Sequence, residues 1–346
     1  MSPDSPLLTV DQLEVSFATE DGLLRAVDGV SFDVSSGEVI AIVGESGSGK
    51  SVTAQTIMGL TRTPNAQIEG TVDFRGQDLL SIEDSELQKL RGSEIAMIFQ
   101  DPMSSLNPVY KVGDQIVEAI LAHEDISKGE AAERAVELLR SVGIPNPDVR
   151  AKHYPHEFSG GMRQRAMIAM GLSLEPSLLI ADEPSTALDV TIQAQILRLL
   201  EEINRDRGLA VIIITHDLGV VAEIADRVVV MYGGRVVEEG TLDEIFYDPQ
   251  HPYTWGLLGS LTRLDRPRPD RLPQIRGLPP SLLNAPEGCH FHPRCPHAFE
   301  KCKRVPGLES RVSDAPDHLD RCWLSPEQKR ERREVEGRIG LEAPAK

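Results

Sequence analysis

The chain has 346 residues, with 36 Lys and Arg against 54 Asp and Glu and a formal net charge of −18. Hydrophobic residues make up 40% and charged residues 26%, which excludes intrinsic disorder as the main state and suits two or three compact units. The longest apolar runs, at residues 209–214 and 228–231, fall far short of the ~20 residues that cross a bilayer, and the acidic balance disfavours broad binding to phosphate backbones. The first residues, MSPDSPLLTVDQ, lack the basic and apolar regions of a secretory signal, so a cytosolic place is expected.

Residues 7–34 carry short alternating pieces, LTVDQLEVSF and AVDGVSFDV, which predict antiparallel strands. Continuous Val/Ile/Leu runs follow at 38–44, 95–99, 178–182, 209–215 and 228–232, separated by longer helical patterns. That alternation predicts an α/β domain whose largely parallel sheet is covered by helices on both faces. Between residues 100 and 176 no comparable strand run occurs, and KGEAAERAVELLRSV at 128–142 has helical spacing, so a helical insertion is expected there. From residue 246 onward lie 14 of the 24 prolines, all four cysteines and five of the nine histidines, which reads as a separate C-terminal module. The tail after Ser325 is highly charged and reads as a solvated helix or as disorder.

Residues 44–51 read GESGSGKS, a full match to G-x-x-x-x-G-K-[ST], after the strand run EVIAIV and before a helix-compatible run. Gly44, Gly47 and Gly49, with Glu45, Ser46 and Ser48 between them, let backbone N–H groups curl around phosphate oxygens at a helix N-terminus. Lys50 is suited to neutralise the terminal phosphates and Ser51 to ligate magnesium. The run LLIADEP at 178–184 ends a strand in two adjacent acids. Asp182 would hold the magnesium, and Glu183 would orient and deprotonate the attacking water.

Between these motifs stands FSGGMRQR at 158–165, which resembles the signature motif of ABC ATPases. Gln100 resembles their Q-loop glutamine, which would also reach the magnesium. STALD at 185–189, ending in Asp189, resembles the D-loop, His216 after VIIIT the switch histidine, and Phe17 the adenine-stacking aromatic. The resemblance implies an ABC-type P-loop NTPase over residues 6–245, with a RecA-like parallel core sheet, an antiparallel β subdomain and an α-helical subdomain at about 101–176. It further implies that Ser159, Gly160 and Gly161 form a second anion cradle that closes on ATP held by an opposite subunit, with His216 on the γ-phosphate. FQDPMSSLNPV at 99–109 and HPYTWGLL at 251–258, with the cysteines, resemble the ATPase subunits of oligopeptide and dipeptide ABC importers. That resemblance implies an energy subunit on the cytoplasmic face of the membrane, with a second ATPase subunit, two permease subunits and an external solute-binding protein. Related importers carry nickel, glutathione or other small solutes, and a nucleic-acid-associated or redox-sensing ABC ATPase is the reading from another class. Only about a hundred residues separate the phosphate loop from FSGGMRQR, too few for a long coiled-coil insertion.

The cysteines run Cys289-x5-Cys295-x6-Cys302, with Cys322 further on. In a reducing compartment such a cluster suits metal rather than disulfides, and four thiolates satisfy either zinc or a 4Fe-4S cluster. Resemblance to the peptide-importer ATPases favours the iron–sulfur cluster, while His290, His292 and His297 keep zinc open. Free thiols packed as small hydrophobes are the remaining reading. The module is taken as residues 246–325 and the charged tail as 326–346.

Overall fold

The computed structural model describes residues 5–101, 105–184, 189–260, 275–312 and 315–335. Two sheets organise them. The smaller one is antiparallel, built from β1 (Leu8–Thr19), β2 (Gly22–Val34), β4 (Ala66–Phe74) and β5 (Gln77–Asp78) in the order β2-β1-β4-β5. The larger has eight strands in the order β11 (Glu309–Ser310), β12 (Leu319–Asp320), β10 (Arg235–Thr241), then β9, β3, β8, β7 and β6. Its parallel centre is β9 (Arg227–Tyr232), β3 (Val39–Val43), β8 (Ala210–Thr215), β7 (Leu178–Asp182) and β6 (Ile95–Ile98). Every residue of β3, β7 and β8 is buried, because helices or the small sheet cover both faces.

The period-two alternation of strand side chains divides the core in two. Ile40, Ile42, Ile180 and Ile212 pack toward the small sheet and helix α1 (Lys50–Ile57), with Leu87 of α2 (Asp84–Leu90). Leu179, Ala181, Val211 and Ile213 pack on the opposite side against the helical insertion. The insertion comprises α3 (Val112–Leu121), α4 (Lys128–Ser141), α5 (Pro147–Arg150) and α6 (Gly160–Gly171). Helix α4 starts at Ser127, where Ser127 and Glu130 form a reciprocal capping box. Helices α7 (Val190–Arg207) and α8 (Leu218–Ile224) follow strands β7 and β8.

The C-terminal segment, expected as a separate module, packs on the core of the cassette. Strand β10 (Arg235–Thr241) pairs antiparallel with β9, and β12 (Leu319–Asp320) then pairs with β10, with β11 (Glu309–Ser310) beyond it. After α9 (Leu242–Tyr247), helix α10 (Pro252–Gly259) buries Tyr253 against Tyr232 of β9, with ring centroids 4.6 Å apart. Phe291 closes the cluster at 5.2 Å from Tyr232 and 5.4 Å from Tyr253. Proline-rich chain supplies little core of its own, so it borrows one. The charged tail begins as helix α11 (Pro326–Val335), whose fully buried Lys329 donates to Asp320 at 2.6 Å. Among the described residues no helix is long and apolar enough to cross a membrane.

Candidate nucleotide site

The phosphate loop leaves β3 and enters α1, as its strand–loop–helix context demands. Gly44 has φ 155°, and a Cβ there would lie 2.2 Å from the Met231 carbonyl oxygen. Gly49 has φ 102°, and a Cβ there would lie 2.5 Å from the Ala26 carbonyl oxygen, so neither position accepts a side chain. Ser46 and Gly47 form the exposed tip of the loop. Lys50 is buried, and its Nζ donates to the carbonyls of Gly44 at 2.8 Å and Glu45 at 3.1 Å and to Ser48 Oγ at 3.5 Å. Burial pushes its pKa down while the carboxylates of Glu183, Asp182 and Glu45 pull it back up. Its ammonium is thus poised at the mouth of the loop with acids around it.

The acids come from the neighbouring strand end. Ser51 Oγ donates to Asp182 Oδ1 at 3.0 Å. Burial raises the Asp182 pKa, the Ser51 hydrogen bond and Lys50 oppose that rise, and Glu183 reinforces it. Two oxygen donors side by side fit a hard divalent cation, which takes oxygen ligands. Glu183 has φ 48°, in the left-handed region where a non-glycine residue is strained, and its N–H donates to the Ile214 carbonyl at 2.8 Å. That turn aims its carboxylate at two separate elements. Gln100 Nε2, at the end of β6, donates to Glu183 Oε2 at 2.9 Å, and His216 Nδ1, at the end of β8, lies 3.2 Å from Glu183 Oε1. Residues 83 and 33 positions apart in sequence thereby meet on one carboxylate.

Ser159 caps α6, its Oγ accepting from Met162 N–H at 3.3 Å, and Ser159 and Gly160 are exposed. Gly161 packs so closely on α7 that a Cβ would lie 2.7 Å from Ile192. Asp189 caps α7 by accepting from Ile192 N–H at 3.0 Å. Ser185, Thr186, Ala187 and Leu188, the rest of the expected D-loop, and Pro102, Met103 and Ser104 of the run after Gln100 lie outside the described residues. Phe17 sits half-buried in β1, packed against the hydrophobic core. Unseen from sequence were the links behind the loop. Tyr253 Oη accepts from Glu45 N–H at 2.8 Å, and Arg294 Nη1 reaches Glu45 Oε2 at 2.6 Å. No sequence spacing signals a partner 249 residues away.

The four cysteines carry no disulfide and all face one small cavity, which His292 and His297 also line. The donor chemistry suits zinc or an iron–sulfur cluster, but the arrangement does not. The cavity holds about 20 Å³, room for about one water and not for a four-iron cube. Among the described residues no three His, Cys, Asp or Glu side chains are grouped to hold a metal ion. The metal or cluster expected at Cys289, Cys295, Cys302 and Cys322 is thus not supported by the grouping of the described residues. Burial raises the pKa of the Cys289 thiol and pushes those of Cys295 and Cys322 up to about 12. Cys302, in the 3-10 turn Glu300–Lys303, and Cys322 are buried, while Cys289 and Cys295 are half-buried, and all four line the cavity with Pro252 of α10.

A phosphate loop on a central parallel strand, with acids at the adjacent strand end, defines a P-loop nucleoside triphosphatase. The ABC transporter family model matches residues 27–186, and the model for the oligopeptide/dipeptide transporter C-terminal region matches 237–302. The dipeptide transport ATP-binding protein DppD of Bacillus subtilis is 55% identical over 92% of this chain and 94% of its own length. The oligopeptide transport ATP-binding protein OppD of Salmonella typhimurium is 52% identical over 94% and 96%. Among solved structures, the dimeric ATP-binding cassette MJ0796 bound to ADP and Pi aligns with a TM-score of 0.61 and 28% identity, covering 68% of this chain and 98% of that one. The chain belongs to the ATP-binding subunits of ABC transporters, in the branch of the dipeptide and oligopeptide transport proteins.

Proposed function

We propose that the chain hydrolyses ATP to power import of dipeptides or oligopeptides, working as a dimer with a second ATPase subunit on two permease subunits at the cytoplasmic face of the membrane. The observation that carries the ATPase is the convergence of Gln100, Glu183 and His216 beside Ser51, Asp182 and the phosphate loop. The peptide cargo is supported by the relatives, which are named as dipeptide and oligopeptide transport proteins.

In this reading backbone N–H groups from Gly44 to Ser51 cradle the phosphates, and Lys50 exchanges its loop carbonyls for phosphate oxygens. Ser51, Asp182 and Gln100 would hold magnesium, which when bound draws charge off the phosphates. Glu183 orients water and accepts its proton, Gln100 and His216 fix that carboxylate, and His216 also reaches the γ-phosphate. Phe17 stacks on the adenine. Ser159, Gly160 and Gly161 present a helix N-terminus to ATP on the opposite subunit, and Asp189 caps the helix beside that interface. The dimeric state of the solved cassette supports this pairing.

A groove of about 650 Å³ beside Gln100 supports the permease contact. Its walls are apolar and methionine-rich, with Met58, Leu60, Met97, Phe99, Met167 and Met170 from both the core and the helical insertion. Flexible methionines suit a docking surface that must repack, and Phe99 passes any movement straight to Gln100.

The test is Glu183→Gln in the intact complex. It should keep ATP binding and lose turnover by ~10²–10⁴-fold, the usual worth of a general base. Unchanged turnover would remove Glu183 from the role of base.

A further inference from the structure

The geometry points to the Cys289 to Cys295 segment as a brace on the phosphate loop, with Arg294 as a positioning residue that sets the affinity for ATP through Glu45. The inference rests on the phosphate-loop reading above. It gives the cysteine-bearing segment a part in nucleotide binding that its distance along the chain conceals.

Arg294 is a nearly buried side chain, 6% exposed, and all five of its N–H donors are used. Nη1 and Nη2 grip the Glu45 carboxylate as a fork, at 2.6 Å and 3.1 Å. Nη1 also donates to Tyr232 Oη at 3.1 Å, Nε donates to the Arg276 carbonyl at 3.0 Å, and Nη2 donates to the Ile275 carbonyl at 3.3 Å. Glu45 is the second residue of the phosphate loop, and Tyr253 Oη takes its N–H at 2.8 Å. The entry to the loop is thus held by side chain and backbone together, both from residues beyond 245.

A second strut stands beside the first. His290 Nδ1 lies 2.6 Å from the Gly233 carbonyl, at the turn between β9 and β10. The next residue of that turn, Gly234, donates its N–H to the Ser48 carbonyl at 3.0 Å, and its N–H neighbour Gly233 stands at φ 56°. His290 follows Cys289 and Arg294 precedes Cys295, so each strut is the sequence neighbour of a cysteine that lines the small cavity. A surface ion pair would contribute little. This one is bidentate, buried on the arginine side and shared with a tyrosine, the arrangement in which Arg fixes geometry as well as charge. Its effect on ATP is preorganisation, because a loop already held in its binding form loses less freedom when phosphate arrives.

The experiment is a double-mutant cycle on the full chain, reading the affinity for a fluorescent ATP analogue with magnesium. Arg294→Gln and Glu45→Gln should each weaken binding about three- to tenfold, and the double variant should be no weaker than the worse single, because both remove one interaction. Arg294→Lys keeps the charge without the fork and should recover only part of the loss. If Arg294→Gln does not fold, the comparison of Arg294→Lys with wild type decides the matter by the same readout. Wild-type affinity in Arg294→Gln or Arg294→Lys, or single effects that multiply in the double variant, would overturn the brace. Lys50→Ala separates the two levels. If wild type binds the analogue and Lys50→Ala does not, while the Arg294 variants bind normally, the brace alone fails. If wild type itself does not bind, the phosphate-loop reading fails with it.

Discussion

Single side chains in this protein are tuned by what surrounds them rather than by their type. His251 shows it most plainly. It is buried, its Nδ1 accepts from Tyr253 N–H at 3.1 Å as the cap of α10, and its own N–H donates to Glu238 Oε2 at 2.8 Å. Burial, then the charges of Lys329, Arg321 and Arg311, lower its pKa to about 3. A histidine depressed below its unfolded value of 6.5 folds neutral, so its stabilisation is present above pH 6.5 and is lost as pH falls toward about 3. His318 faces the same Glu238 and is raised, which gives it the opposite pH sign. A variant is therefore needed to isolate His251. His251→Asn keeps an oxygen cap without a titrating ring. Wild type should lose about 2 kcal/mol relative to it between pH 7 and pH 5, from ~1.4 kcal/mol per pKa unit, in urea midpoints. Parallel pH profiles would refute the assignment. Nothing in HPYTWGLL announces this, since a histidine before proline reads equally well as a surface turn.

At the scale of elements, the helices and strands of the cassette follow their sequence periods. The C-terminal ones do so only with help from elsewhere. The strands β11 and β12 have two residues each and exist because β10 offers an edge. Helix α11 is almost wholly polar, yet it docks because Lys329 reaches the buried Asp320, which also faces Arg311, and Arg333 reaches Asp248. Removing one partner of a buried pair leaves an uncompensated charge. Lys329→Met should therefore destabilise the chain by about 3–5 kcal/mol, read from urea denaturation, and Asp320→Asn added to it should recover part of the loss. A loss below ~1 kcal/mol would mean that the helix is solvated, as the charge pattern of PEQKRERREV implies by itself. The pattern misleads because hydropathy counts charges and cannot count the partner that neutralises one.

For the whole molecule, the large sheet gives the nucleotide site two kinds of support, one from its β6 end and one from β9. Toward the helical insertion the sheet carries Gln100 and the methionine groove, and toward the C-terminal segment it carries Tyr232 and the grip on Glu45. A permease contact in the groove and a brace behind the loop would then act on one site from opposite sides. Leu60, exposed in the groove and outside the nucleotide machinery, tests the first. Leu60→Asp should bind ATP like wild type and lose copurification with the permease subunits by about tenfold or more, as hot-spot truncations do. Full recovery of the complex would move the docking surface elsewhere.

Contiguous residues carry the chemistry that can be read without the fold. GESGSGKS makes an anion cradle from its own backbone, the acids of LLIADEP end a strand whatever lies beside it, and Ser159 caps its own helix. These are local consequences of φ/ψ freedom, strand ends and helix termini, so they survive without knowledge of the rest of the chain. What converges from afar is set by how the strands and helices pack. Parallel strands β6, β7 and β8 bring Gln100, Glu183 and His216 to one edge, since their ends align when the strands pair. The gathering of the four thiols on one small cavity belongs to the same level. So does the Arg294 grip on Glu45, because burial and long-range pairing are properties of the packed chain and leave no period or spacing in its sequence.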